Sequence, residues 1–423
     1  MPPGAIQAGR TLFTDNAAVL MLRTSFRSLL RNRRRTIASA LAIGFGCIAI
    51  LLSTGFVEWI YDAIRETAIQ TGLGHVQVAA PGYWAEGATD PSRFLVQGMP
   101  PALAKLARDP RVKAIAPRLQ FNGLAVVGET SVPFLALGID PAVEEDISGG
   151  FDAVAGDKLS SADESGALLG KGLAIALGVK PGDTVVLIVS TSAGGVNAAE
   201  VVVRGTFTAQ VKAIDDTALR VPIGLARKLT RMDGTHMWAI ALKSTPMTDA
   251  FVADAAKTLA GSGLDYRPWH ALADFYNKTR ELFQSQMNFV VVIIGAIVVL
   301  VISNLMIMNV LERTGEIGTM LALGTPRREV LQGFLIEGLI LGLSASALGI
   351  ILGIGVATLI SSVGIPMPPP PGRTEGYSGE ILLTAGGVAL AFVVGVVAAT
   401  IASVYPAWTA SKLQIVDALR HNR

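Results

Sequence analysis

The sequence predicts a membrane protein: four transmembrane α-helices with a large mixed α+β extracytoplasmic domain inserted between the first and second helices. Three observations predict it. The composition is 51% hydrophobic and only 16% charged, with a mean hydropathy of +0.50, which is the profile of the membrane class. Four runs, 37–56, 287–310, 333–363 and 381–404, are apolar and free of Lys and Arg, and each matches or exceeds the roughly 20 residues a membrane-crossing helix needs. The stretch 57–286 instead carries short period-2 apolar patterns separated by turn residues, with helical patterns between them, as in a folded α+β domain.

The N-terminal stretch 1–36 is loose in composition up to residue 16. From 17 to 30 it carries leucines and valines punctuated by Arg23 and Arg27. That pattern fits a helix lying along the membrane surface and equally the cytoplasmic start of the next helix. Arg23, Arg27, Arg31, Arg33, Arg34 and Arg35 follow one another with no acid among them. The run 37–56 is longer than the roughly 7–15 residue core of a cleaved signal and is closed by no small-x-small site, so it reads as a retained span. Because short basic flanks stay on the cytoplasmic side, these arginines place the N-terminus inside. Four spans then put 311–332, with Arg313, Arg327 and Arg328, and the tail 405–423, with Lys412, Arg420 and Arg423, inside as well. The loop 364–380, with Arg373 alone, falls outside, and so does 57–286, since long loops translocate regardless of charge.

Within the insertion, strands are expected at 75–80, 121–127, 132–137, 184–190, 200–207, 218–221 and 237–242. Gly194 and Gly195 turn one of these pairs into a hairpin. Helices are expected at 101–108, 172–177, 224–230 and 248–260. The two ends, 57–70 and 271–286, have helix-forming composition and continue the first and second spans without a breaker. They predict helical stalks in place of a Gly- and Ser-rich tether.

No catalytic constellation is visible. The single cysteine, Cys47, excludes an intrachain disulfide and a Cys-based metal site. His75, His236, His270 and His421 are far apart and none stands at metal-ligand spacing. The run SGALLGKG at 165–172 superficially suggests a phosphate loop, but Ser165 and Gly172 occupy the positions that require Gly and Ser or Thr. Glu144, Glu145 and Asp146, and the pair Asp215 and Asp216, stand beside turn residues and read as solvated loop charge. The expectation is therefore a chain that is not an enzyme, holds no metal, binds no cofactor of its own and has no nucleic-acid partner. Inside the spans, an ionisable or amide side chain is a functional candidate by default, which singles out Asn304 and Glu337, beside Ser303 and Asn309. Glu337 lies about a turn into its helix, within reach of the interface or of Arg327 or Arg328. Gly338, Gly342, Gly349 and Gly353 repeat at a spacing that permits close helix packing.

The segment ERTGEIGTMLALGTPRREV, 312–330, is different in kind. Helix formers run from 316 to 323 with an apolar set Ile317, Met320, Leu321 and Leu323; Gly324 follows as a stop, with Pro326 two residues on. A short helix of this shape between two spans suits a groove on a soluble partner, and it also suits an interfacial helix resting on lipid.

This segment, with Glu312, Arg313, Glu316, Ile317, Gly318, Ala322, Leu323, Gly324 and, further on, Glu337, resembles the coupling region of ABC transporter permeases in the macrolide-exporter, lipoprotein-releasing (LolC/LolE-like) and FtsX-like superfamily. The closing YPAWTASKLQIVDALR, with Pro406, Ala407, Ala410, Ala418, Leu419 and Arg420, is similar to that family's C-terminal segment. GHVQVAAPG near Gly74, LGID at 137–140, LLGKGLAIALGVKPGDTVVLI at 168–188 and VVVRGTF at 201–207 look like elements of the lipoprotein-releasing branch. The resemblance implies a permease in a bacterial inner membrane with both termini cytoplasmic. Its partners would be a second copy or a homologous permease and a separate cytoplasmic ATPase dimer carrying ATP and Mg. Glu312, Arg313, Glu316, Ile317, Met320, Ala322, Leu323 and Gly324 would be the ATPase-coupling residues. The cargo implied is a lipoprotein or lipid-like molecule, with a periplasmic carrier or adaptor as a further partner. The alternatives are an adaptor-dependent exporter of small amphipathic molecules or peptides, and an FtsX-like signalling scaffold for a cell-wall hydrolase.

Overall fold

The structure, a computed structural model, describes residues 31, 33–87, 91–148, 155–160, 163–209, 212–367 and 377–414. The expected interfacial helix at 17–30 and the closing residues Ala418, Leu419 and Arg420 lie outside the described residues. In chain order the main helices are α1 (Arg33–Ala68), α2 (Pro101–Leu106), α3 (Pro141–Ser148), α4 (Lys171–Leu177), α5 (Ile223–Thr230), α6 (Thr248–Leu259), α7 (Asp274–Glu312), α8 (Thr314–Ala322), α9 (Arg327–Val363) and α10 (Ala385–Ser411). The strands of the large sheet are β1 (Val76–Ala79), β2 (Val112–Val127), β3 (Thr130–Ile139), β4 (Ala155–Gly156), β5 (Gly166–Gly170), β6 (Thr184–Ser190), β7 (Val196–Phe207), β8 (Ala218–Pro222), β9 (Met237–Leu242) and β10 (Asp265–Pro268); Ile365–Met367 and Tyr377–Gly379 pair in a separate two-stranded sheet. The chain divides into a helical unit, within Met1–Ile60, Glu281–Ile365 and Ser378–Arg423, and a sheet unit, chiefly Tyr61–Arg280. α1 and α7 pass through the division without a break.

The helical unit contains α1, α7, α9 and α10, the four helices long and apolar enough to cross a membrane. Their shared core is Ile43 and Cys47 from α1, Val298, Ile302 and Met306 from α7, Leu341 and Ala345 from α9, and Ala398, Ala399 and Ala402 from α10. Half of these residues are small because, where lipid is as apolar as leucine, close backbone approach is what holds helices together. The four spaced glycines divide the work. A Cβ on Gly338 would stand 2.6 Å from the Cβ of Ser403, and one on Gly342 2.9 Å from that of Ala399, both on α10. On Gly349 it would stand 2.6 Å from the Cα of Gly44, and on Gly353 3.0 Å from Leu51, both on α1. α9 is therefore the helix that the other two press against. Pro406 stands inside α10 and lacks the N–H that would bond the Ala402 carbonyl; the Ser303 hydroxyl donates to that carbonyl instead, at 3.0 Å. α10 begins at Ala385, four residues later than the apolar run suggests, because Thr384 caps it by accepting from the Gly387 N–H at 3.1 Å.

The sheet unit is mixed, and one long strand organises it. β2 has 16 residues and pairs antiparallel with β3 along one edge. Its other edge pairs first with β9 and then with β6. Following the pairs β2–β3, β3–β8, β8–β5, β5–β7, β7–β6 and β6–β2 returns to the start, so six strands close into a ring. Its interior is filled by Leu119, Phe121, Phe134, Leu169, Leu187 and Val203, with α4 and α5 adding Leu173, Leu177 and Leu229. The first half of β2 continues into a second, open sheet, β10–β1–β9–β2. α2 and α6 cover it, burying Leu103, Leu106, Phe251 and Leu259 against Val76, Val78 and Ile240. The hairpin at Gly194 and Gly195 joins β6 to β7, with Ser190 opposite Val196. β5 and β10 are strands that period-2 reading does not pick out: β5, Gly166–Gly170, is buried at all five positions, and the alternation that marks a half-buried strand is absent there.

Two acidic positions depart from the reading as solvated loop charge. Glu144 lies on α3 and is buried, its carboxylate receiving Arg118 Nη2 at 2.5 Å and Nε at 3.2 Å. Arg118, on β2, also donates to the carbonyl of Gly72, in the turn that ends α1. Asp215 is buried as well and accepts the N–H groups of Gly172 and Ala209, both at 2.8 Å. Sequence proximity to turns misleads here because the partners come from 26 and 43 residues away. Removing one side of a buried pair leaves an uncompensated charge, at about 3–5 kcal/mol. Glu144→Ala, which leaves two guanidinium groups, Arg118 and the nearby Arg220, in the interior, is expected to lower the denaturant stability of the purified full chain by about that amount; a change within experimental error contradicts the role given to the pair.

Two histidines make the unit acid-sensitive. His236 Nδ1 accepts the Gln120 N–H at 3.0 Å, its Nε2 lies 2.8 Å from the Pro91 carbonyl, and its ring stacks on Tyr83. His75 Nδ1 accepts the Leu242 N–H at 3.0 Å. Burial lowers both below the ordinary value of 6.5, so both rings are neutral when folded. Below about pH 6.5 the unfolded chain then binds more protons, so stability is complete above that pH, falls as pH drops from there toward the lowered values, and levels off beneath them. Denaturation midpoints measured from pH 7.5 to pH 5 are expected to be flat at first and then to decline below pH 6.5; a midpoint that rises on acidification refutes this.

Candidate functional site

The 312–330 segment folds as a short helix held between two long ones. α7 ends at Glu312, Arg313 leaves helical geometry with φ −97° and ψ 10°, and α8 occupies nine residues. Gly324 then takes φ +95°, a conformation glycine adopts without the strain a side chain brings, and Pro326 precedes α9. α8 has two faces. Ile317, Gly318 and Leu321 are buried, Ile317 and Leu321 packing in a cluster with Val310 of α7, Val330 and Phe334 of α9, and Ala407 and Ala410 of α10. The opposite edge presents Thr319, Met320, Ala322 and Leu323, with Leu323 83% exposed. The apolar set that reads from sequence as one docking face thus divides: Ile317 and Leu321 fix the helix in place, and Met320 and Leu323 are left outward.

Charges fasten the same helix. Arg313 binds Glu316 at 3.0 Å and Glu337 at 3.3 Å, with its guanidinium 5.5 Å from the centre of the Phe334 ring. Asn309 donates to the other oxygen of Glu337 at 3.3 Å. Arg35 pairs with Glu312, and Arg31 with Glu316. Burial pushes the Glu316 carboxyl up, but hydrogen bonds and charge from Arg313 and Arg31 outweigh it and hold the group below the usual carboxylate range. It is ionised at neutral pH. Glu337 is buried on α9, where its oxygens meet Arg313 and Asn309; Arg327 and Arg328, the partners its spacing suggests, lie exposed at the start of α9. Beside it, a cavity of about 20 Å³ lined by Arg35, Ser39, Asn309 and Glu337 has room for one water. Arg31 and Arg35, which enter the sequence reading only as topology signals, are members of the site. The signal that could have found them is charge complementarity: an acid-free arginine run and two carboxylates, Glu312 and Glu316, that sequence reading assigns to the same side of the membrane. Asn304, the other polar candidate, is exposed on α7. Among the described residues no cluster of His, Cys, Asp and Glu could hold a metal.

The site is a small apolar edge on a helix that packs on α7, α9 and α10 through Ile317 and Leu321 and whose N-cap residue, Arg313, reaches Glu337 of α9.

The family model for the FtsX-like permease C-terminal domain matches residues 288–415, and that for the MacB-like periplasmic core domain matches residues 36–258. The chain is similar to the lipoprotein-releasing system transmembrane protein LolC of Xylella fastidiosa (strain 9a5c), with 26% identity over 414 residues, 91% of this chain and 94% of that protein. It is also similar to the macrolide export ATP-binding/permease protein MacB of Bdellovibrio bacteriovorus, with 32% identity over 145 residues, which is 34% of this chain and 20% of that protein. Among solved structures, the periplasmic region of MacB from Actinobacillus actinomycetemcomitans matches with a TM-score of 0.34 at 14% identity, covering 51% of this chain and 94% of that one.

The pairs differ in worth. Arg31 and Glu316 are about half exposed, at 58% and 47%, and such a surface pair contributes about 0–1 kcal/mol. Arg313 and Glu337 are at 19% and 5%, and stranding Glu337 costs about 3–5 kcal/mol. In thermal unfolding of the detergent-solubilised chain, Arg31→Ala is expected to be near wild type and Arg313→Ala clearly destabilised. Equal shifts contradict the ranking.

Proposed function

Because the chain belongs to the permease family marked by the FtsX-like permease C-terminal domain and the MacB-like periplasmic core domain, we propose that it is the force-transmitting subunit of an ABC transporter that releases lipoprotein or lipid-like cargo. It is an ABC transporter permease of the MacB, LolC and FtsX type, a multi-pass membrane protein and not an obvious enzyme. In the proposed working cycle, a separate cytoplasmic ATPase dimer, which holds ATP and Mg, grips the edge of α8. Its closure moves α8, and the unbroken helices α1 and α7 carry the displacement to the sheet unit on the far side of the inner membrane, between the first and second spans. Both termini lie in the cytoplasm.

The observation that carries this reading is the exposed Met320 and Leu323 edge on a helix otherwise locked by Ile317, Leu321 and Arg313. Apolar side chains left outward on a charged, anchored helix suit a groove on a soluble protein. Lipoprotein cargo is favoured by the match to LolC, which extends over 91% of the chain. Adaptor-dependent export of small amphipathic molecules or peptides is the second reading, favoured by the MacB-like periplasmic core domain.

Leu323→Asp places a charge where an apolar contact is needed while leaving the buried face of α8 intact. It is expected to abolish copurification of the cognate ATPase and stimulation of its hydrolysis. Full binding by this variant overturns the coupling assignment. For cargo, the reconstituted complex is expected to retain triacylated lipoproteins identifiable by mass spectrometry; recovery of a periplasmic adaptor in their place would support the second reading.

A further inference from the structure

The sheet unit holds a cavity of about 390 Å³ that the coupling role of α8 does not use, and its size is that of a small-molecule site. Ile147 and Leu242 give it apolar lining, and charges of both signs stand around them. Lys113 comes from β2 and Lys243 follows the end of β9. Val112 pairs with Leu242 and Ala114 with Ala241, so Lys113 is the extra residue of a β-bulge, a device that re-aims a side chain. Glu66 and Asp146 stand in the last turns of α1 and α3, where the helix dipole already favours a cation. Glu66 is paired with Arg65 at 3.2 Å, but among the described residues Lys113, Lys243 and Asp146 make no ion pair and no side-chain hydrogen bond. Opposite charges thus line one cavity without meeting. Two hydroxyls join them. Buried His75 accepts the Leu242 N–H at Nδ1, so its ring proton is on Nε2 and is donated to Thr245 Oγ1 at 3.2 Å. The Thr245 hydroxyl therefore keeps its own hydrogen for an acceptor in the cavity, beside Ser244.

We propose that this cavity binds a small zwitterion of the phosphoethanolamine class, its phosphate held by Lys113, Lys243, Ser244 and Thr245 and its ammonium by Glu66 and Asp146. The site goes beyond the permease reading and does not rest on it. Three facts choose the ligand. First, an anion alone would meet two carboxylates and a cation alone two lysines; a ligand carrying both signs answers all four. Second, the anion side consists of two ammonium groups and two hydroxyls, with no guanidinium among the lining residues. Lysine binds phosphate as a point charge, whereas paired recognition of a planar carboxylate is the work of arginine. Third, the cation side adds two carboxylates to two helix C-termini, a combination that suits an ammonium with several N–H donors. The short carbon link between the two charges then lies over Ile147 and Leu242. The same chemistry is carried by a lipid headgroup and by a soluble ester.

The test is calorimetric titration of the detergent-solubilised full chain with glycerophosphoethanolamine. Saturable binding is expected, weakened about tenfold by Lys243→Gln and by Asp146→Asn, since each removes a hydrogen bond to a charged group. Both side chains are exposed, so the variants keep the fold, and Lys105→Gln, an exposed lysine of α2 outside the cavity, should bind as wild type does. Inorganic phosphate and ethanolamine, titrated separately, are expected to bind about tenfold more weakly than the zwitterion, the first sensitive to Lys243→Gln alone and the second to Asp146→Asn alone. Absence of binding, binding that ignores both substitutions, or phosphate binding as tightly as the zwitterion overturns the proposal. The source is read by repeating the titration on chain reconstituted in vesicles. Loss of the signal in phosphatidylethanolamine vesicles but not in phosphatidylglycerol vesicles supports the site with a lipid headgroup as its occupant; a signal kept in both supports it with a soluble ester.

Discussion

Glu337 is buried, with room for no more than a single water beside it, so its charge must be matched by the protein. A buried carboxylate without a cation either takes up a proton or destabilises the fold by several kcal/mol. Here the match is Arg313, with Asn309 on the second oxygen. This one requirement fixes much else. Arg313 can reach Glu337 only if α7 stops at Glu312 and α8 turns back beneath the bundle, and the same guanidinium then holds Glu316 and covers Phe334. The position of α8, and so the outward aim of Met320 and Leu323, follows from one neutralised charge.

Elsewhere in the helical unit the governing rule is geometric. Helices in lipid gain little from burying more apolar surface, because lipid is apolar too. They gain from approach, and α9 achieves it twice: toward α10 through Gly338 and Gly342, and toward α1 through Gly349 and Gly353. Pro406 shows the complementary rule that each backbone carbonyl must be served, since a hydroxyl from α7 takes over the bond that α10 cannot make for itself. Among the described residues α7 joins this core along one side only, through Val298, Ile302 and Met306.

What was legible in the sequence was what depends on short range. The apolar runs, the hairpin at Gly194, and β6 and β9 with their ends at Thr184, Ser190, Met237 and Leu242 follow from composition and period. The stop at Gly324 was equally legible, since a left-handed residue ahead of a proline is a local feature. What was not legible depends on distant partners. Nothing near Glu144 shows that Arg118 waits 26 residues earlier, and nothing near Asp215 shows the amide of Gly172, 43 residues before it. β5 escaped because a strand buried on both faces loses its alternation, and the closure of the ring, which needs β2 to serve two partners on one edge, is a property of pairing that no single segment carries. At the site the same divide holds: α8 was visible, but its two faces and the arginines of α1 were not.

The two ends of α8 differ from its middle, and the difference decides which part of the helix is held fast. At Arg313 and Gly324 the backbone leaves helical geometry, so each end can act as a pivot. Between them the helix is gripped on its inner side by Ile317 and Leu321 and by the pairs to Glu316. That inner face holds the helix in register against α7, α9 and α10. The pairs from Arg31 and Arg35 are individually weak: Arg31 meets Glu316 of α8, Arg35 ties α1 to Glu312 at the end of α7, and α1 meets α9 through Gly44 and Gly349 with no side chain between them. The half-exposed Arg31–Glu316 pair is therefore the fastening of α8 that rising ionic strength weakens first, while the buried Arg313–Glu337 pair is screened least.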